Sequence, residues 1–318
     1  MIQPVISDSQ KNTLESFFGD QLKKDQMMGR YSVMQVGGPA DYLIIANDGK
    51  ELEEIIRFLW RQEIPFILIG GGSNTLISDA GIREVVVLNK AKEVKYLDQD
   101  PEAPCIWAES GASFGKLARL SGSRGWAGLE WSAGIPGTVG GAVVNNAGAF
   151  GSNVAENLVM AEILHPVGDR IQRSEWPVDQ FTYDYRTSVI KSGKKTAAVL
   201  SATFRLRRST PEEVKGRISL IAEKRQASQP QGASLGSMFK NPPGDYAGRL
   251  IEEGGLKGKR VGDVEISQVH GNFFLNRGNA TAKDIAALIS QVQEEVKDQF
   301  DVDLTLEIQF VGDWEQID

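Results

Sequence analysis

The chain has 318 residues, with 35 Lys and Arg against 42 Asp and Glu and a formal net charge of −7. That acidic balance argues against a nucleic-acid binder, whose footprint is basic, and 41% hydrophobic with 24% charged residues excludes wholesale disorder. One cysteine, Cys105, rules out an intrachain disulfide, and with only His165 and His270 beside it neither a Cys-rich nor a His-rich metal centre is expected. The first residues lack the basic and apolar regions of a secretion signal, and no apolar run reaches the ~18 residues that span a bilayer. A soluble cytoplasmic protein with no membrane partner is expected.

In chain order, Leu52, Ile55, Ile56 and Leu59 fall on one face of a helix over 51–61. After Pro65, the run Phe66–Ile69 reads as a buried strand that leads directly into Gly70-Gly71-Gly72-Ser73-Asn74. Residues 85–88 read as a strand and 112–120 as a short helix. Residues 131–151 hold too much Gly and Ala for an ordinary core element, and Gly134-Ile135-Pro136-Gly137 specifies a tight turn. Strand segments follow at 197–200 and 203–206. Thr210, Pro211 and Glu213 form a helix start, and the polar stretch before them marks a boundary near 209. Beyond it come a helix at 245–253 and strand positions at Val264, Ile266, Phe273 and Leu275. A capping box at Thr281 and Asp284 then opens a helix with Ile285, Leu288, Ile289, Val292, Val296 and Phe300 on one stripe. A strand over 304–311 completes the pattern. The mixture gives an α/β or α+β class in two lobes.

Four features could carry chemistry. Three glycines after a strand remove every Cβ from a turn, so backbone N–H groups can close around an anion such as a pyrophosphate, with Ser73 and Asn74 adding donors. An ordinary glycine-rich turn is the alternative, and neither the Rossmann fingerprint nor the P-loop pattern is present. The run from Ser132 through Ala142 lets backbone lie flat against a planar ligand or another backbone. Ser237, in Gly236-Ser237-Met238-Phe239-Lys240-Asn241, lacks a nucleophile elbow but could donate a proton to a carbanion. Arg186 sits beside Tyr185, either as a carboxylate fork or as a surface cation stacked on the ring. Glu307 shares a strand face with Thr305 and Gln309, which by itself suggests solvent. His270 reads as structural or pocket-lining.

Six blocks in order resemble the UDP-N-acetylenolpyruvoylglucosamine reductase family. They are Gly37-Gly38-Pro39-Ala40-Asp41, Gly70–Asn74 with Leu76 and Asp79, Gly134–Ala142, Tyr185–Ser188, Gly236–Pro242, and Leu306-Glu307-Ile308. The resemblance implies an α+β protein: an FAD-binding lobe of the vanillyl-alcohol-oxidase (PCMH) type over 1–209, with its core at about 31–209, and a C-terminal α/β substrate lobe over 210–318. It implies noncovalent FAD held by Gly70, Gly71, Gly72, Ser73, Asn74, Ser132, Gly134, Ile135, Pro136, Gly137, Thr138, Gly140, Gly141 and Ala142. It implies NADPH as electron donor and a UDP-sugar enolpyruvyl ether as substrate, in peptidoglycan precursor synthesis. Arg186, Ser237 and Glu307 match the family's catalytic positions, and Asn241, Lys240 and Tyr185 would contact substrate. The short span from Arg186 to Ser237 points to the family form without an extra substrate-covering loop. A monomer is expected. A PCMH-type oxidase is the alternative, and many of those tether flavin through His or Cys.

Overall fold

The computed structural model describes residues 6–100 and 103–314. Its helices are α1 (Asp8–Phe18), α2 (Gly49–Arg61), α3 (Phe114–Gly122), α4 (Val139–Asn145), α5 (Val154–Asn157), α6 (Pro211–Ser228), α7 (Ala247–Glu253) and α8 (Ala282–Phe300). The chain forms two compact units, each assembled from separated stretches. Unit 1 takes the chain up to Leu43, Gly72–Val86, and the chain from Gln226 onward; unit 2 takes Ile44–Gly71 and Val87–Arg225. The compact units therefore part company at Arg225, beyond the polar stretch near 209. The reason is α6. Thr210 accepts from the Glu213 N–H to start it, Val214 is fully buried, and Arg217 donates to Glu130, whose other oxygen holds the Gly128 N–H. All of these partners belong to unit 2.

Unit 2 is built on an antiparallel sheet in the order Arg170–Pro177, Leu158–Val167, Ala198–Arg205, Cys105–Glu109, Val94–Leu97. Ala202 pairs with Ala161 on one side and Ala108 on the other. These small residues leave room for a core of Ile106, Phe114, Leu117, Trp131, Val139, Val143, Ile163 and Phe204. Phe114 meets Trp131 edge-on at 5.5 Å and Phe204 at 5.6 Å. Burying each such side chain stabilises the fold by about 1.5–3 kcal/mol. On α2, the apolar stripe expected from the sequence is buried, and Asp48 caps its start.

In unit 1 the Thr281–Asp284 capping box forms as expected, and Asp79 adds a second cap by accepting from the N–H groups of Ala282 and Lys283. These carboxylates meet the unpaired N–H groups at the positive end of a helix. The α8 stripe packs with α7 and a three-stranded sheet of Arg260–Val261, Val264–Ile266 and Phe274–Asn276. The strand expected over 304–311 is shorter than its sequence suggests: only Gln309–Val311 is regular strand, paired in parallel with Thr75–Ile77. The preceding residues bond elsewhere. Lys240 N–H donates to Thr305 O at 2.8 Å, and Glu307 N–H donates to Met238 O at 2.8 Å. No described helix is long and apolar enough to cross a membrane.

Candidate active site

The two glycine segments come together within unit 2. A Cβ on Gly70 would lie 2.4 Å from the Thr138 hydroxyl oxygen, and one on Gly71 would lie 3.1 Å from Gly137 Cα. A side chain at Gly70 would have to displace the Thr138 side chain, and one at Gly71 would crowd the Gly137 backbone. The 132–142 segment is itself pinned: Phe114 N–H donates to Gly137 O, Val139 N–H to Ala112 O, and Gly140 N–H to Ser110 O at 2.8–3.1 Å. Gly134 and Gly137 carry the positive φ values that the tight turn requires. Thr138 caps α4 through the Gly141 N–H, while Gly134, Pro136 and Gly141 are exposed. This bare, partly exposed backbone is what close approach of a planar cofactor needs. Ser132 differs, being fully buried with its hydroxyl donating to Leu129 O at 2.8 Å.

Arg186 belongs to the same unit. It occupies left-handed backbone at φ +55° in a turn closed by Asp184 and Thr187. Its Nη2 donates to Gly148 O at 2.6 Å, and its guanidinium lies 5.2 Å from the half-exposed Tyr185 ring. A Cβ on Gly148 would come within 2.7 Å of Ser152 O and 3.1 Å of Arg186 Nη1. Two residues of this region carried no distinct signal in the sequence. Tyr183 donates to Val143 O, and Arg225 at the end of α6 lies 5.2 Å from the Phe150 ring. Burial pushes the Tyr183 phenol up from its ordinary value and the Arg225 guanidinium down from its own.

Ser237 and Glu307 lie on neighbouring extended segments of unit 1. Ser237 bridges Phe273, and Phe239 bridges Leu306. Buried Asn272 grips the segment between them, accepting from Phe239 N–H at 2.9 Å and donating to Phe239 O at 2.8 Å. Asn74 donates to Glu307 O at 3.2 Å, and Gly72 O accepts from Val33 N–H. Glu307 is half-buried, not the fully solvated residue its strand face suggests. Lys240 is half-buried and Asn241 exposed, with the Asn241 side-chain Oδ1 accepting from Ala247 N–H at the start of α7. His270 is structural: its Nδ1 accepts from Asn272 N–H at 3.2 Å, and burial lowers its pKa, favouring the neutral ring. Cys105 lies in a sheet strand and His165 bonds Ser174, so neither sits in a glycine segment. Among the described residues, no group of three or more His, Cys, Asp or Glu is placed to hold a metal ion.

Residues 40–173 match the FAD binding domain family, and residues 228–311 match the family of the C-terminal domain of UDP-N-acetylenolpyruvoylglucosamine reductase. The UDP-N-acetylenolpyruvoylglucosamine reductase of Chloroflexus aurantiacus is 41% identical over 293 residues, covering 91% of this chain and 97% of its own. That of a Synechococcus species is 42% identical over 293 residues, covering 92% and 94%. A crystal structure of the Thermus caldophilus UDP-N-acetylenolpyruvylglucosamine reductase superposes with a TM-score of 0.75 at 32% identity, covering 91% of this chain and 98% of that one.

Proposed function

Because the chain belongs to the UDP-N-acetylenolpyruvoylglucosamine reductase family, we propose that it reduces the enolpyruvyl double bond of its UDP-sugar substrate at the expense of NADPH, giving the lactyl ether of UDP-N-acetylmuramate. FAD, bound without a covalent tether, supplies the hydride. Within unit 2, Gly70 and Gly71 with the Gly134–Ala142 segment hold FAD; Gly72, Ser73 and Asn74 of unit 1 complete that motif. The observation that carries the reading is the close approach of Gly70 to the Thr138 side chain and of Gly71 to the Gly137 backbone, in the unit that also carries Arg186.

The protein's own residues manage charge and protons. As hydride reaches one carbon, negative charge moves through the neighbouring carbon onto the substrate carboxylate. Arg186 neutralises that carboxylate. Ser237 Oγ donates its proton to the neighbouring carbon and is left as an alkoxide to be reprotonated. Glu307 acts beside the same group, protonated or paired with a cation, since two bare carboxylates in contact are costly. Asn241, Lys240 and Tyr185 contact the UDP-sugar. The protein works in the cytoplasm as a monomer.

The half-reactions test this. In Ser237→Ala, anaerobic NADPH still bleaches the flavin, while reoxidation by the enolpyruvyl substrate slows by ~10²-fold or more. Equal slowing of both half-reactions would remove Ser237 from proton donation.

A further inference from the structure

A helix leaves its last carbonyls without N–H partners of its own. At the end of α4, donors come from the short stretch that carries Arg186. Tyr183 Oη donates to Val143 O at 2.7 Å, and Ser188 Oγ donates to Val144 O at 2.6 Å. In return Asn146, just past the helix, donates through Nδ2 to Asp184 O at 3.2 Å. Between these anchors, Asp184 and Thr187 exchange backbone hydrogen bonds and close the Tyr185–Arg186 turn.

The anchors address a real difficulty. Arg186 holds φ +55°, a conformation costly for a side chain of its size. Such backbone persists where its surroundings over-determine it. The hydroxyls are well shielded for that task. Ser188 is buried, and the Tyr183 ring stacks on Phe181 at 5.2 Å and 11°. Gly148, which accepts from the guanidinium, follows the same helix end by three residues.

We propose that Tyr183 and Ser188 are positioning residues for Arg186, their hydroxyls fastening its left-handed turn to the terminal carbonyls of α4 and so fixing the guanidinium relative to the segment that precedes that helix. The inference rests on Arg186 meeting the substrate carboxylate. Capping of α4 for its own sake is the competing explanation, and a double-mutant comparison separates the two.

The hydroxyls are deleted with Tyr183→Phe and Ser188→Ala together, in the wild-type and Arg186→Ala holoenzymes. The pinning role predicts unchanged FAD content by absorbance and flavin reduction by NADPH within about twofold. It predicts reoxidation by the enolpyruvyl substrate slowed about tenfold or more in the wild-type background, with no further slowing in Arg186→Ala. It also predicts weaker binding of UDP-N-acetylmuramate, read as a flavin absorbance perturbation, in the wild-type background only. Tyr183→Phe alone, which keeps the stacked ring, moves both readouts less and in the same direction. Loss of FAD, equal slowing in both backgrounds, or unaltered reoxidation overturns the pinning role. A slow Arg186→Ala enzyme with unaffected hydroxyl variants removes the pinning alone, whereas an Arg186→Ala enzyme of normal rate removes the role of Arg186 and the pinning with it.

Discussion

In unit 2 the turn that carries Arg186 is fastened by side chains: two hydroxyls, one amide and the guanidinium each reach a backbone carbonyl. In unit 1 the segment that carries Ser237 is fastened mainly by backbone, with the Asn272 side chain added at Phe239. It runs between residues 272–273 and 305–307, with hydrogen bonds on both sides. The first arrangement can be dismantled one oxygen at a time. The second survives most side-chain changes, because every residue supplies the same N–H and C=O. In the proposed mechanism, a positive charge that must match a carboxylate in angle and depth gains from several independent anchors, whereas a hydroxyl that must only reach one carbon is served by a ladder.

Gly148→Ala is the harshest way to break the contrast. The new methyl meets Ser152 O at 2.7 Å and the guanidinium at 3.1 Å, so the backbone at Ser152 or Arg186 has to move. Reoxidation of the flavin by substrate is expected to fall about 10²-fold, as for a 1 Å misplacement, with the absorption spectrum retained. Stopped-flow absorbance checks both. In unit 1, Asn272→Ala removes the one side chain that grips both polar groups of Phe239. Leaving those groups unpaired costs about 1–3 kcal/mol each, so the melting temperature drops while FAD content in the purified protein does not. Scanning calorimetry with a parallel spectrum reads this.

The smallest expected effect is a pH dependence. Burial holds His270 below its ordinary value of 6.5. The unfolded chain therefore takes up a proton near that value while the folded chain resists it. Stability is complete above pH 6.5 and declines as pH falls through it toward the lower folded value. His165 shifts the same way, so His270→Asn flattens only part of the decline in melting temperature below pH 6.5. An unchanged slope would show that His270 is not desolvated.

Much of this was legible in the sequence because its signals are local. Caps at Thr210 and Thr281, the stripe on α2 and the tight turn at Gly134–Gly137 all depend on residues within a few positions. The glycine segments were legible as bare backbone, though not as partners of each other. What could not be read is non-local. Nothing near Ser132 announces that its hydroxyl is already committed to Leu129. Nothing near Tyr183 names Val143, forty positions away. The alternation over 304–311 looks like one strand, yet its first half serves a different neighbour from its second. Domain limits suffered likewise: a polar stretch near 209 resembles a linker, but α6 is claimed by Glu130.

Asn74 and Glu307 are 233 positions apart, and residues 75–77 find their parallel strand partner only at 309–311. During translation at about 5–20 residues per second, the first of these waits roughly 12–47 s for the second. The sheet of unit 2 has all its strands by residue 205. On the ribosome the stretch that carries Arg186 can therefore settle early, while residues 75–77 keep an unpaired edge until the last strand emerges.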